Sequence, residues 1–356
     1  MVKEYGYEYN ATTNGDILSV AGWSGTDKKL WDAYSLRSGR DALKVIAREY
    51  PNSTVFLPSL CCDSMITPFE MYGCEIVFYP LTTELGVDFS ALLSKLQLIK
   101  EQKLLLFYDY FAIKMFHSNQ LVELKRAFND LILIEDITHT LLNFKGTTPY
   151  VDYTIASLRK WVNLPDGGLL WTKHKLNNLF LSDDSKFAEQ RLRAQCMRTE
   201  YFDIGDESIK TAYRKIFCDV SALLDSDPSS AKMTEYSYEL AHNTDWEDIK
   251  RKRRANADIL SMIFSGNQNI RIINCGISRS DLYVPIIIQD RDEVQRNLSS
   301  KGIFNTIIWP LRKEQMLVCS TAKYVAEHML AVPCDQRYAK EDMLYIGSEI
   351  TRAING

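Results

Sequence analysis

The sequence has no run of apolar residues approaching the roughly 20 that a membrane-spanning helix needs, so no segment reads as crossing a bilayer. Its start, MVKEYGYEYN, lacks the apolar stretch of a secretory signal. Eight cysteines and five histidines are present, but there is no CxxC and no spacing that gathers them for a metal. The adjacent Cys61 and Cys62 are not a redox motif, and free thiols of this kind suit a reduced, cytoplasmic protein. There is no GxGxxG and no Walker A loop, which leaves nicotinamide, flavin and nucleoside triphosphate readings unsupported. A surplus of positive charge is also missing. At a net charge of −4 no basic surface advertises nucleic acid or acidic lipid, and the local exception, Lys250 to Arg254, reads as the solvated face of a helix start. No internal repeat stands out.

What remains is an ordinary globular composition, 46% hydrophobic and 25% charged over 356 residues, long enough for two domains. Short apolar runs alternate with helical patterns. The runs are TVFLPSL (54–60), EIVFYPL (75–81), LLLFYDYF (104–111), LILIED (131–136), DYTIASL (152–158) and GLLWT (168–172). Between them Leu43, Ile46, Ala47 and Tyr50 share one helical face, as do Leu92, Leu93, Leu96 and Ile99, then Leu121, Leu124 and Phe128. Continuous apolar strands separated by amphipathic helices predict an α/β fold with a mostly parallel central sheet covered by helices on both faces. Residues 173–265 are polar and helical, and a second α/β pattern follows: NIRII (269–273), DLYVPIII (281–288), NTIIW (305–309) and helices around 320–330 and 340–353. The boundary is placed near residue 250, giving a large domain of residues 1–250 and a small C-terminal α/β domain of 251–356.

Ligands of such sheets sit beyond the carboxyl ends of the strands. The run LILI ends there in Asp136, with His139 three residues later, and the next run ends in Ser157 and Lys160, followed by Asp166, Gly167 and Gly168. A lysine and an acid on neighbouring strand ends are what an enzyme needs to hold pyridoxal phosphate: the amine forms the Schiff base and the carboxylate keeps the ring nitrogen protonated. Ser38-Gly39 opens an amphipathic helix, where free backbone N–H groups suit a phosphate, although a plain helix cap explains the pair equally. The S-x-x-K spacing of Ser157 and Lys160 also describes a serine nucleophile with a lysine base, but no partner motif follows it.

Taken in order, these pieces resemble the DegT/DnrJ-type sugar aminotransferases, within the fold-type-I pyridoxal phosphate enzymes. The matching segments are Ser38-Gly39-Arg40-Asp41-Ala42-Leu43, the strand running into Pro58, Gly73, Ile134-Glu135-Asp136-Ile137-Thr138-His139, Lys160 seven and eight residues before Gly167 and Gly168, and Arg253-Arg254 with Asn256-Ala257. The resemblance implies Lys160, Asp136 and His139 as catalytic residues. Ser38, Gly39, Arg40, Cys62 and Ser157 would join them around the cofactor, with Tyr110 and Phe111 lining the substrate pocket. It implies an amino donor, usually glutamate, a keto sugar acceptor, usually nucleotide-linked, a homodimer, and a place in sugar or cell-surface polysaccharide biosynthesis. The chain departs from the pattern in several ways. The turn is Ser-Gly-Arg rather than Ser-Gly-Thr, Cys62 stands where relatives place an aromatic residue, and His139 replaces a glutamine. Ser157 lies three rather than five residues before the lysine, and no asparagine loop reaching a neighbouring subunit is recognisable. Two alternatives stand beside the aminotransferase: a pyridoxal phosphate enzyme of another reaction type, such as a dehydratase or an acyl- or carbon-transferring enzyme, and a non-catalytic relative. Arg337 reads as a partner in a surface ion pair.

Overall fold

The computed structural model describes residues 2–11, 24–274, 276 and 278–355. Its centre is a seven-stranded sheet. In chain order the strands are β1 (Tyr34–Leu36), β2 (Thr54–Pro58), β3 (Glu75–Tyr79), β4 (Lys103–Phe107), β5 (Ile132–Asp136), β6 (Tyr153–Ser157) and β7 (Gly168–Thr172), arranged β1-β7-β6-β5-β4-β2-β3. All pairings among β2 to β6 are parallel, and β7 is antiparallel to both its neighbours. The direction of β7 follows from the short connection after β6. A turn of 3₁₀ helix, Leu158–Lys160, and a few further residues reverse the chain, whereas β2 to β3, β3 to β4 and β4 to β5 are connected through the helices Asp63–Glu70, Phe89–Leu98 and Ser118–Ala127, and β5 to β6 through the 3₁₀ turn Leu141–Asn143. The strands from β2 to β7 each coincide with a predicted apolar run; all but the edge strand β3, whose Glu75 is exposed, are largely buried on both sheet faces, which leaves a continuous rather than alternating pattern.

A second, smaller antiparallel sheet is formed by β8 (Arg271–Ile272), β9 (Val284–Ile287) and β10 (Met329–Val332), in the order β8-β9-β10. Helices Trp246–Ser265, Arg291–Ser300 and Lys340–Asn355 pack around it, burying Leu260, Phe264, Leu298, Ile346 and Ile350. One expectation changes here. The segment 305–309 is not a strand; Thr306 alone bridges to Ala331, and the strand before it, Ile303–Phe304, pairs in parallel with Tyr5–Gly6. The N-terminal segment therefore joins this second core, where Tyr5 is buried and its ring contacts Tyr338 and Tyr345 at 5.5 and 5.6 Å. The expected boundary near residue 250 falls inside the continuous helix Trp246–Ser265. No helix among the described residues is long and apolar enough to cross a membrane.

The basic cluster in that helix is not uniformly solvated. Arg251 and Lys252 are exposed and pair with Asp248, but Arg253 is 1% exposed. A charge so buried survives only when its donors are met. Arg253 gives Nε to Gln336 Oε1 (2.8 Å) and Nη1 to the carbonyls of Asp281 and Leu282 (3.2 and 3.1 Å). Its Nη2 donates to the Tyr9 hydroxyl (2.6 Å) and the Trp161 carbonyl (3.0 Å), and the guanidinium lies 4.9 Å from the Trp161 ring centroid. It joins the N-terminal segment, the turn after Lys160 and the second sheet. Arg253→Met strands several buried acceptors at once and is expected to lower unfolding free energy by about 3 kcal/mol, measured by urea denaturation. The exposed control Lys252→Met is expected to cost about 1 kcal/mol or less.

Candidate active site

The carboxyl ends of β5 and β6 meet the first turn of the helix Gly39–Glu49, and glycine makes the meeting possible. In the sheet Gly168 stands opposite both Ser157 and Leu36. A Cβ on Gly168 would lie 2.1 Å from the Ser38 carbonyl carbon and 2.6 Å from the Gly39 nitrogen, so only glycine lets β7 pass beneath the turn. A Cβ on Gly39 would lie 3.6 Å from that of Ser157, which seats the turn directly on the end of β6. Ser38 caps the helix: its Oγ accepts the Asp41 N–H at 3.1 Å and donates to Asp41 Oδ2 at 2.5 Å. Arg37 clamps the same carboxylate through Nε and Nη2 at 3.1 and 2.7 Å. The Ser38 hydroxyl is thus spent on the cap, and what the turn offers a ligand is its backbone. Asp166 is buried and structural, accepting the backbone N–H and hydroxyl of Thr234, both at 2.8 Å.

Thr138 organises the acid side. Its N–H donates to Asp136 Oδ1 at 2.7 Å, its Oγ1 accepts the Ser157 N–H at 3.0 Å, and its carbonyl accepts the indole N–H of Trp161 at 2.7 Å. One residue thereby fixes the acid, the serine and the turn that carries Lys160. Burial pushes the Asp136 carboxyl up, while the Lys160 charge and the Thr138 N–H pull against it. His139 is 4% exposed, with its ring 4.9 Å from that of Phe111 and 5.7 Å from that of Trp309. Burial, and then the Lys160 charge, push its imidazole down to about 3, so it is neutral.

Lys160 is exposed onto a cavity of about 330 Å³, lined also by Arg40, Ser157, Arg159, Phe187, Arg191 and the N-terminal residues Tyr7, Glu8 and Tyr9. The lining is rich in cations. Arg191 is 3% exposed and grips Glu8 through Nη2 at 2.7 Å, and Arg40 pairs with Asp225 at 3.1 Å. Arg159 is held low, to about 9, by burial and by the Arg191 charge. An exposed amine, a serine and three arginines, one of them in the first turn of a helix, are a set that suits an aldehyde bearing a phosphate; the buried Asp136 lies behind this wall and not in it.

The structure brings Arg40, Ser157 and Lys160 into one cavity wall, sets the Ser38-Gly39 turn against Ser157, and ties Asp136 to Ser157 through Thr138. Other expected residues lie outside the cavity wall, as Asp136 and His139 do. Tyr110 lies fully in the core, with its hydroxyl donated to the Leu60 carbonyl at 2.6 Å, and Phe111 packs on His139 rather than lining the cavity. Cys62 precedes the helix Asp63–Glu70, with Sγ 2.9 Å from Ser64 Oγ, and is not part of the cavity wall. Arg337 makes the expected ion pair, with Asp335 at 2.7 Å, but half-buried against Tyr9. Sequence reading passed over Thr138, Arg159, Arg191 and Glu8. Thr138 and Arg159 sit inside the very motifs that mark the site, whereas nothing local distinguishes Glu8 or Arg191, which the fold brings from 183 residues apart.

The neutral state of His139 has a signature in pH. Its folded value of about 3 lies below the ordinary 6.5, so its contribution is complete above pH 6.5 and is lost as pH falls through the window down to about 3. The slope is at most about 1.4 kcal/mol per pH unit. Asp136, raised on folding, acts with the opposite sign. Urea unfolding of the cofactor-free protein at pH 7 and pH 5 is therefore expected to show a greater loss of stability for the native chain than for His139→Gln. Equal losses would mean the imidazole is not buried in its neutral form.

No family model matches the chain, and no curated protein matches it in sequence. Solved structures do match in fold. The aminotransferase TlmJ of Streptoalloteichus hindustanus aligns over 100% of this chain and 99% of its own, with a TM-score of 0.66 and 16% identity. Helicobacter pylori PseC, an aminotransferase involved in the biosynthesis of pseudoaminic acid, covers 99% of this chain and 100% of its own, with a TM-score of 0.66 and 14% identity. DesV of S. venezuelae covers 96% and 93%, with a TM-score of 0.64 and 16% identity. End to end, the chain has the fold of these proteins, the fold-type-I architecture that the resemblance implied.

Proposed function

We propose that this protein is a pyridoxal phosphate-dependent aminotransferase that moves an amino group from an amino acid, glutamate first among donors, to the keto group of a sugar carried on a nucleotide. The observation that supports this most is the placement of Lys160. It opens onto a cation-rich cavity while its charge acts on a buried acid at the end of the adjacent strand. When bound, the cofactor supplies an aldehyde that captures amines and a ring that accepts electron density. Lys160 would hold the aldehyde carbon, and its Nζ, when free, would move the proton at the substrate α-carbon. Asp136, fixed by Thr138, would hold the proton on the ring nitrogen. The Gly39 turn, Arg40 and Ser157 orient the phosphate.

Support for a sugar acceptor comes from the proteins that share the fold. One, DesI, is solved in the presence of its TDP-sugar product, and a Streptococcus pneumoniae protein named as a sugar aminotransferase is solved in PLP and PMP forms. Homodimeric assembly, with the cavity at the subunit interface, and a role in sugar biosynthesis belong to the same reading. So does a division into a large unit around the seven-stranded sheet and a smaller C-terminal unit.

The test is the visible absorption spectrum with pyridoxal phosphate, before and after L-glutamate, for the native chain and Lys160→Ala. The expected result is a yellow band that glutamate bleaches and that Lys160→Ala never shows. A band indifferent to glutamate would turn the reading toward another donor or another pyridoxal phosphate reaction. No band at all would overturn the cofactor assignment.

A further inference from the structure

One carboxylate, Glu8, serves two arginines of the cavity wall, Arg191 and Arg159. Arg37 is paired with Asp41 and Asp227, Arg40 with Asp225, and Arg191 with Glu8. Among the described residues Arg159 has no carboxylate within ion-pair distance, and its Nε is shut off from solvent without a hydrogen-bond partner. Yet the guanidinium is held in place. It lies 5.4 Å from the centroid of the Phe187 ring, which Arg37 and Arg191 also approach, at 5.9 and 5.8 Å. A half-buried guanidinium set against an aromatic face, with the Arg191 and Arg40 charges beside it, has room for a further anion.

The neighbours of Arg159 along the chain say which anion. It stands two residues after Ser157 and one before Lys160, in a cavity wall that also includes Arg40 at the start of the helix Gly39–Glu49. A hydroxyl, the N–H groups of a first helical turn and a planar fork of guanidinium donors together match a tetrahedral dianion rather than a single carboxylate. We propose that Arg159 is the cation of a phosphate site built within one chain, and that this site takes the phosphate group of the cofactor. The proposal rests on the pyridoxal phosphate reading for the identity of the ligand, but its physical content is the binding of a phosphate group. Arg191, paired with Glu8, and the Phe187 ring act as positioning groups that keep the Arg159 fork aimed into the cavity.

The experiment compares pyridoxal phosphate with pyridoxal, titrated separately by absorbance into the native chain, Arg159→Gln and Arg159→Lys. Thermal stability in inorganic phosphate against chloride at matched ionic strength is measured in parallel. Arg159→Gln is expected to bind pyridoxal phosphate about tenfold more weakly or worse, to bind pyridoxal as before, and to lose the stabilisation by inorganic phosphate. Arg159→Lys, which keeps the charge but not the fork, should recover part of the affinity. An unchanged ratio of pyridoxal phosphate to pyridoxal affinity in Arg159→Gln would overturn the proposal. Should the native chain show no band with either aldehyde, the cofactor reading falls and the melting data decide Arg159 alone. Stabilisation by phosphate in the native chain that Arg159→Gln lacks sustains the phosphate site, and equal responses refute it.

Discussion

The guanidinium of Arg253 is the constraint on which the rest of the site depends. The Trp161 carbonyl accepts from Arg253, from the Tyr9 hydroxyl at 2.9 Å and from Gln336 at 2.9 Å, so three distant parts of the chain converge on the peptide directly after Lys160. The indole of the same tryptophan donates to Thr138, whose other groups hold Asp136 and Ser157. From Arg253 to Asp136 the path is one continuous set of hydrogen bonds with no exposed member: Arg253, Trp161, Thr138 and Asp136 are all under 8% exposed. In a dry environment such bonds are directional and costly to leave half-made. The lysine turn therefore has little freedom to move independently of the acid, and a buried cation in the C-terminal half sets the geometry of groups at the end of the central sheet.

Backbone contact does for the phosphate side what this network does for the acid side. The turn at Ser38 and Gly39 rests against β6 and β7 with no side chain between them, and Gly168 is the residue that permits it. Ser38 keeps its hydroxyl on Asp41, which Arg37 also holds, so the first helical turn is fixed from both ends of its cap. Its backbone N–H groups are then presented by a rigid element rather than by a loop, and a ligand there has little ordering of the protein to offset.

Much of this was legible in the sequence, for a physical reason. The strands β2 to β7 were visible because burial, on both faces of all but the edge strand β3, leaves uninterrupted apolar runs, and Asp136, Ser157 and Lys160 were visible because they end such runs. The second sheet was harder to read. Its strands are two to four residues long, and β10 directly follows the helix Ser320–His328, so the pattern reads as one longer helix. The pairing of Tyr5–Gly6 with Ile303–Phe304 links residues nearly a chain length apart and leaves no local trace. Arg253 was read as solvated because its neighbours Arg251 and Lys252 are; composition cannot tell which face of a basic helix turns inward. Tyr110 and Phe111 lie outside the cavity wall for a related reason. An aromatic residue at a strand end fits a pocket wall and a core equally well, and here the Leu60 carbonyl and the His139 ring claim them.

The two groups beside Lys160 show how one charge can set opposite protonation states. Burial drives both toward neutrality, pushing the Asp136 carboxyl up and the His139 imidazole down. The Lys160 ammonium then opposes burial at Asp136, favouring the carboxylate, and adds to it at His139, disfavouring a second cation. The result is an acid drawn back toward its charged form within three residues of a base that cannot take a proton. That is the distribution needed to stabilise a protonated ring nitrogen without a competing positive charge beside it. Glu8 is shared between Arg191 and Arg159, so the cavity wall keeps a surplus of positive charge. A ligand that brings a protonated nitrogen to Asp136, a carbonyl to Lys160 and a phosphate to Arg159 would balance all three at once.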